Sequence, residues 1–231
     1  SPAPPEFPML HPSTILSHLA AVTDRVLLGT GIVLLPQRNP VVLAKELASL
    51  DVISGGRLLF GLGVGYLEAE FEALGVPFRE RGARADEYLE AMKALWTQEK
   101  PSFKGRFASF EGVQARPRPA QRPHPPVIVG GMSASAYRRA TSKGNGWYGF
   151  ALDAAGTETS IAGLREAATR VERPEALGPL EISVTPSVQV DAELVERLEE
   201  LGVHRIVSLM RGRDRDTLLA FVDDLAAAVI R

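Results

Sequence analysis

The sequence predicts an α/β protein built around a parallel β-sheet, and three observations lead to this prediction. From residue 26 onward, short apolar segments alternate with longer segments of helical periodicity. The short segments are nearly continuous in apolar residues, which is typical of parallel strands buried on both faces. Capping residues stand where the helices are expected to begin and end. Such alternation forms either a doubly wound sheet or a closed barrel, and the pattern leaves that choice open.

Residues 25–65 form the best-defined unit, which is a strand, a helix and a second strand. The apolar segments 26–35 and 57–65 are the two buried strands. Between them a helix begins with Asn39 as N-cap and Pro40 in its first turn. The helix stops at glycines because glycine accepts the left-handed backbone of a C-cap. Its inward stripe and its stop comprise Leu43, Leu47, Leu50, Gly55 and Gly56.

The other elements follow in chain order. A helix at 12–24 precedes this unit and has no strand before it, and a long helix is expected at 80–96. Residues 101–119 interrupt the alternation as a hairpin-like insertion, because Phe103, Phe107 and Phe110 alternate there with polar residues. Further strands are expected at 126–131, 146–150, 180–185 and 203–209, with helices after Ser133, at 157–171, after Asp191 and after Asp214. The total is about six β/α units in a single domain.

Apolar stripes predict which faces of the two longest helices are buried. In the helix at 80–96 the stripe comprises Ala85, Tyr88, Leu89, Met92 and Leu95. In the last helix it comprises Leu218, Phe221, Val222, Leu225 and Val229.

Composition excludes several classes of function. The formal net charge is −2, so no basic surplus indicates a nucleic-acid partner. The sequence contains no cysteine, which excludes disulfides, thiolate metal sites and cysteine nucleophiles. No apolar segment is long enough to span a bilayer, and none resembles a signal peptide. The four histidines are dispersed, so no metal site is predicted. We therefore expect a cytoplasmic enzyme or binding protein that acts on a small molecule.

The glycine-rich segment 61–65 has two interpretations. A dinucleotide fingerprint would need a glycine at position 66, where this chain has Tyr66, so that class of site is disfavoured. Small residues here could simply let the chain leave a crowded sheet end. Alternatively, they could form a wall against which a flat ring lies.

Residues 130–135 are the better candidate for an anion site. A strand ends in Gly130 and Gly131, and a helix begins at Ser133. Free backbone N–H groups and the helix dipole would converge there, at the strand end where ligands of α/β proteins bind. The alternative is that Ser133 acts only as an N-cap. No G-x-S-x-G nucleophile motif is present, and no catalytic residue is identified.

Motifs spread along the chain resemble those of the luciferase-like monooxygenases, flavin or deazaflavin oxidoreductases on a TIM barrel. The resemblance is to the branch that uses coenzyme F420. It covers about residues 14–168 in order and the last two β/α units more loosely. The matching segments are 25–32, 39–45, 50–58, 61–65, 70–75, 79–82, 129–131 and 144–147.

The resemblance implies a (β/α)₈-type barrel, a homodimer and roles for particular residues. Thr30, Gly31 and Ile32 would support the ring of F420, or alternatively FMN, through a bulge and a non-proline cis peptide. Val64 and Gly65 would line the cofactor's side chain. Arginine often occupies the Val64 position in flavin-binding luciferases, so valine favours F420. The turn that would bind the phosphate comprises Gly130, Gly131, Met132 and Ser133.

The resemblance also implies two further β/α units before the first helix. The acidic residue and the histidine that often act as acid or base in the family fall in that region. We therefore expect an N-terminally incomplete domain, with a shortened relative as the alternative. The leading functional hypothesis is hydride transfer or oxygenation of a small organic substrate. A non-catalytic cofactor-binding protein or an inactive relative is the second, and a barrel hydrolase has no nucleophile or metal cluster to support it.

Overall fold

The computed structural model describes residues 8–210, 212 and 214–229. The chain divides into two compact units, Ser1–Val127 and Ile128–Arg231, which are described separately. The expectation of a single domain stays a prediction.

The strands of the first unit are short and parallel. Strand β1 (Leu28–Gly29) and strand β2 (Val33–Leu34) both pair with β3 (Leu58–Gly63). Gly29 lies opposite Leu59 and Val33 lies opposite Leu62, so the β1–β2 segment carries one residue more than β3 between these two pairs. An extra residue of this kind is a β-bulge.

The prediction of one continuous buried strand at 26–35 was wrong. The bulge divides that segment into β1 and β2, and the side chains of Val26 and Leu27 are each 55% exposed before β1 begins. Apolar composition identified the segment as strand-forming but contained no signal for the bulge.

The helices of the first unit are α1 (Pro12–Val22), α2 (Pro40–Ile53), α3 (Glu68–Ala73) and α4 (Arg81–Thr97). The Asn39 side chain accepts hydrogen bonds from the N–H groups of Val41 and Val42, which confirms it as the N-cap of α2. The predicted inward residues of α2 and α4 are all buried. The indole N–H of Trp96 on α4 donates to the Ala44 carbonyl on α2 at 2.9 Å, which joins the two helices. Helix α3 was not predicted.

The segment after α4 contains an antiparallel pair, β4 (Phe103–Lys104) and β5 (Ser109–Phe110). The carboxylate of Glu87 on α4 accepts hydrogen bonds from the backbone N–H groups of Arg106, Phe107 and Ala108. One side chain of the helix therefore holds the turn between the two strands.

The second unit continues the regular alternation of parallel strands and helices. Its strands pair in the order β6 (Val127–Gly130), β7 (Gly146–Leu152), β8 (Glu181–Pro186) and β9 (Arg205–Ile206). Its helices are α5 (Ala134–Lys143), α6 (Ala154–Arg170), α7 (Ala192–Glu200) and α8 (Arg215–Val229). Asp191 caps α7 as predicted, since its carboxylate accepts from the Leu194 N–H at 2.9 Å.

Two predictions for the end of the chain were wrong. Strand β9 spans two residues instead of the whole segment 203–209, and Leu209 is 53% exposed. No side chain of α8 is buried, and Val222 is 50% exposed. An apolar stripe predicts which face of a helix would be covered, but it does not supply the element that covers it.

Within the described residues, six β/α units follow α1, as the sequence predicted. No helix in this part of the chain is both long and apolar enough to cross a membrane. Residues 8–210, 212 and 214–229 also contain no group of three His, Asp or Glu side chains arranged to hold a metal ion.

Candidate functional site

In the first unit, the bulge is held by Thr30. Its hydroxyl donates to the Gly61 carbonyl at 2.7 Å and accepts from the Gly61 N–H at 2.9 Å. A Cβ atom on Gly61 would overlap the Thr30 carbonyl oxygen. The threonine hydroxyl is therefore engaged with strand β3, and the backbone around it is what remains available to a ligand.

Ile32 packs against the same strand two residues further along. The peptide bond between Gly31 and Ile32 is cis, at the position that the resemblance implied. A Cβ atom on Gly63 would overlap the end of the Ile32 side chain. Packing against Thr30 and Ile32 thus accounts for Gly61 and Gly63 without a ligand. This favours the interpretation that small residues are needed here because the sheet end is crowded.

The chain after β3 is fixed by contacts of Gly65. This residue has φ of +83°, in the left-handed region that favours glycine, and a Cβ atom there would lie 2.7 Å from the Phe71 ring. The Arg81 guanidinium donates to the Gly65 carbonyl at 3.2 Å and lies 3.8 Å from the centroid of the Phe78 ring. Val64 and Gly65 are half-buried, so part of this loop stays accessible.

In the second unit, β6 ends at Gly130 and α5 begins four residues later. Gly131 has φ of +115°, which lets the backbone turn sharply from strand to helix. The hydroxyl oxygen of Ser133 accepts from the Ala136 N–H at 3.2 Å, so Ser133 is the N-cap of α5. Gly131, Met132 and Ser133 are exposed, and Gly130 is half-buried. The first N–H groups of a helix have no intrahelical acceptor, so this turn presents donors to solvent at the carboxyl end of a strand.

A pair of hydroxyl groups lies beside this turn, and the sequence reasoning missed it. Tyr148 on β7 is directly opposite Gly130 on β6. Its hydroxyl is 2.6 Å from the hydroxyl of Thr185 on β8, whose side chain is completely buried. Burial raises the pKa of Tyr148. The phenol therefore stays protonated at neutral pH.

Polar residues line the sheet face that Tyr148 shares. Trp147 packs edge-on against Tyr137 of α5, so Tyr148 faces the opposite side of the sheet. Ser183 of β8 is buried there and accepts a hydrogen bond from Arg205 of β9 at 3.0 Å. The sequence signal was the alternation from Glu181 to Thr185, because a strand buried on two apolar faces would not place polar residues at every second position.

The carboxyl end of β7 is also irregular. Ala151 has φ of +55°, and the register between β7 and β8 shifts between Phe150 and Leu152. A non-glycine residue in the left-handed region is uncommon and costs conformational free energy. This register shift in β7 lies at the same end of the strands as the hydroxyl pair and the turn before α5.

The charged side chains that follow β3 serve mainly to hold the first unit together. Two guanidinium nitrogens of Arg84 donate to one carboxylate oxygen of Glu80, and Glu70 on the exposed side of α3 accepts from Gln37. Both contacts therefore join side chains within the first unit. Of the nine predicted site residues, five belong to the first unit and four to the second. The first set comprises Thr30, Gly31, Ile32, Val64 and Gly65, and the second comprises Gly130, Gly131, Met132 and Ser133.

Residues 3–228 match the family described as luciferase-like monooxygenase. An uncharacterized protein of Mycobacterium tuberculosis is 34% identical over 221 residues, which cover 94% of this chain and 76% of the relative. The FMNH2-dependent dimethylsulfone monooxygenase of Pseudomonas putida is 37% identical over 142 residues, which cover 60% of this chain. The match spans only 39% of that enzyme's length.

Among solved structures, the coenzyme F420 dependent tetrahydromethanopterin reductase of Methanopyrus kandleri superposes with a TM-score of 0.77. The likeness covers 96% of this chain and 87% of the reductase at 18% sequence identity, so it shows the fold alone. The chain therefore has an α/β fold of the TIM-barrel type, as the resemblance implied, and its described residues contain six β/α units.

Proposed function

The chain belongs to the luciferase-like monooxygenase family, and on that premise we propose that it is an oxidoreductase. It would use a phosphorylated ring cofactor, F420 or FMN, to oxidise, reduce or oxygenate a small organic molecule. When bound, the cofactor supplies hydride transfer or, for FMN, oxygen activation, while the protein binds and orients it and excludes water.

The observation that carries the proposal is the turn between β6 and α5. Gly130 and Gly131 bring an exposed backbone to the N-terminus of a ten-residue helix. Ser133 uses its oxygen to accept from Ala136, so its O–H remains able to donate to a phosphate. Donors from Ser133 and from the first turn of α5, together with the helix dipole, favour an anionic phosphate group at this position.

We propose that the ring is supported by the first unit. The half-buried backbone of Thr30 and Ile32 and the exposed Gly31 offer a surface without charged side chains. The Thr30 bonds to Gly61 make this surface rigid, which suits a flat ring better than a flexible loop would. Val64 and Gly65 would line the cofactor's side chain, as the resemblance implies.

Two observations bear on the choice between F420 and FMN, and each supports a different cofactor. Val64 stands where flavin-binding luciferases often have arginine, and this supports F420. The relative that uses FMNH2 is 37% identical over 142 residues, and this supports FMN. We propose F420 with FMN as the alternative, and direct titration of the protein with each cofactor, followed by fluorescence, distinguishes them.

A charge substitution at the N-cap tests the phosphate site. Ser133→Asp keeps a good N-cap but places a negative charge where the phosphate would bind. We expect it to weaken binding of the preferred cofactor at least tenfold. Ser133→Asn caps equally well without charge and should change affinity less than threefold. Equal affinity of both variants and the wild type would exclude this turn as the phosphate site.

Turnover distinguishes an enzyme from a non-catalytic binding protein. We expect oxidised bound cofactor to be reduced when small alcohols are added. Reduced bound cofactor should be reoxidised when aldehydes or ketones are added, or when sulfur compounds are added together with oxygen. Cofactor binding without any such change would support the non-catalytic alternative.

A homodimer is also expected in solution, and sedimentation of the purified protein measures its oligomeric state.

A further inference from the structure

We propose that Tyr148, oriented by Thr185, donates a hydrogen bond to an oxygen atom in the phosphate-bearing side chain of the cofactor. This inference rests on the proposed function and adds a residue to which neither the resemblance nor the sequence motifs assigned a role. It is carried by the 2.6 Å contact between the two hydroxyl groups and by their position in the sheet.

The hydrogen-bond directions follow from burial. Thr185 is completely buried, and among the described residues the one partner of its hydroxyl is Tyr148. Leaving a buried O–H group without an acceptor is unfavourable, so we infer that Thr185 donates to the phenol oxygen. The phenol hydrogen is then directed away from Thr185. Tyr148 is half-buried, so part of the residue stays accessible to a ligand.

Register places the phenol beside the phosphate turn. The backbone of Tyr148 is opposite Gly130, the last residue of β6. Thr185 is opposite Phe150, two residues closer to the carboxyl end, so the Tyr148 side chain leans toward that end of the sheet. Both features direct the donor to the edge where Gly131 and Ser133 present their own donors.

The chemistry of the pair suits an oxygen acceptor that carries negative charge. Burial raises the pKa of Tyr148, so the phenol remains a neutral donor across the physiological range. A neutral donor binds an oxyanion without adding charge to the sheet face. Arg205 on the same face is paired with Ser183 and Glu181. Tyr148, in contrast, lies directly opposite Gly130.

Binding measurements on near-isosteric variants test the proposal. We expect Tyr148→Phe to weaken binding of the preferred cofactor about tenfold, and Thr185→Val to weaken it about threefold. Thr185→Ser should restore it. The matched control is Tyr137→Phe, since Tyr137 packs against Trp147 on the opposite face and should not affect affinity. Thermal unfolding of each variant verifies that it folds.

The matched ligand without phosphate locates the contact. This ligand is riboflavin if the protein prefers FMN, and the deazaflavin core if it prefers F420. We expect Tyr148→Phe to change its affinity less than twofold. An equal loss for both ligands would overturn the proposal, because the contact would then be to the ring. Wild-type protein that binds neither cofactor would refute the proposed function, whereas wild-type binding that Tyr148→Phe leaves unchanged would refute this inference alone.

Discussion

The hydroxyl of Thr30 bonds to both backbone groups of Gly61, at 2.7 Å to the carbonyl and 2.9 Å to the N–H. A side chain thereby replaces the regular strand pairing at the bulge between β1 and β2. This reciprocal contact explains how the chain can bulge there while leaving no backbone group of Gly61 unpaired.

The close approach of Thr30 predicts that Gly61→Ala destabilises the protein. The added methyl would overlap the Thr30 carbonyl oxygen, and overpacking of this kind costs about 1–3 kcal/mol. Urea unfolding measures the loss. Gly29→Ala is the control, because its methyl would lie 3.8 Å from the Leu59 side chain, an ordinary contact. If both variants had wild-type stability, the described packing at Gly61 would be incorrect.

The contacts of Glu87 predict a local effect on the β4–β5 hairpin. Burial raises the pKa of Glu87, but its three backbone N–H donors outweigh that effect and lower the pKa overall. Glu87→Ala removes their acceptor and should cost about 1–2 kcal/mol. Amide exchange at residues 106–108 should accelerate more than exchange in α4. The exposed Glu111 offers a control, and Glu111→Ala should leave both quantities unchanged.

The lowered pKa of Glu87 also fixes the sign of its pH effect. Its contribution to stability is present above the unfolded pKa, about 4.5, and is lost as the pH falls through the lower folded pKa. The difference in stability between wild type and Glu87→Ala should therefore shrink as the solution is acidified below about pH 4.5. A difference that stays constant down to pH 2 would contradict this assignment.

The environment of His124 predicts a second pH effect near neutrality. Burial against Trp96, whose ring centroid is 5.8 Å away, lowers the pKa of His124, although its bond to the Pro125 carbonyl acts in the opposite direction. The folded state thus takes up a proton less readily than the unfolded chain. Stability should decrease as the pH falls from about 6.5 toward the folded pKa.

A comparison of wild type with His124→Gln measures this contribution. We expect the melting temperature of the wild type to fall more steeply than that of the variant between pH 7 and pH 5. His18→Gln, on the exposed side of α1, should keep the wild-type slope. Parallel slopes for wild type and His124→Gln would show that His124 is not responsible.

Local signals in the sequence predicted much of the fold. Asn39 caps α2 and Asp191 caps α7 because a cap is a contact between residues two or three apart. The buried stripe of α4, from Ala85 to Leu95, follows from helical periodicity. The two glycines before Ser133 likewise predicted the turn that leads into α5.

Predictions failed where the outcome depended on a distant partner. Whether residues 26–35 form one strand depends on Thr30 meeting Gly61, and that contact joins positions 31 residues apart. The exposure of α8 depends on what lies against it, and the composition of the helix holds no such information.

The sequence alone determined the alternation of strands and helices, their caps, the family, and the turn that is the best candidate for binding a phosphate. These depend on residues close together in the chain or on the order of motifs along it. Only the tertiary structure could place Tyr148 against Thr185, and only its packing explains Gly61 and Gly63. Alternation along a strand predicts which side chains share a face. Which residue of the neighbouring strand lies opposite each of them is decided only when the strands pair in the folded protein.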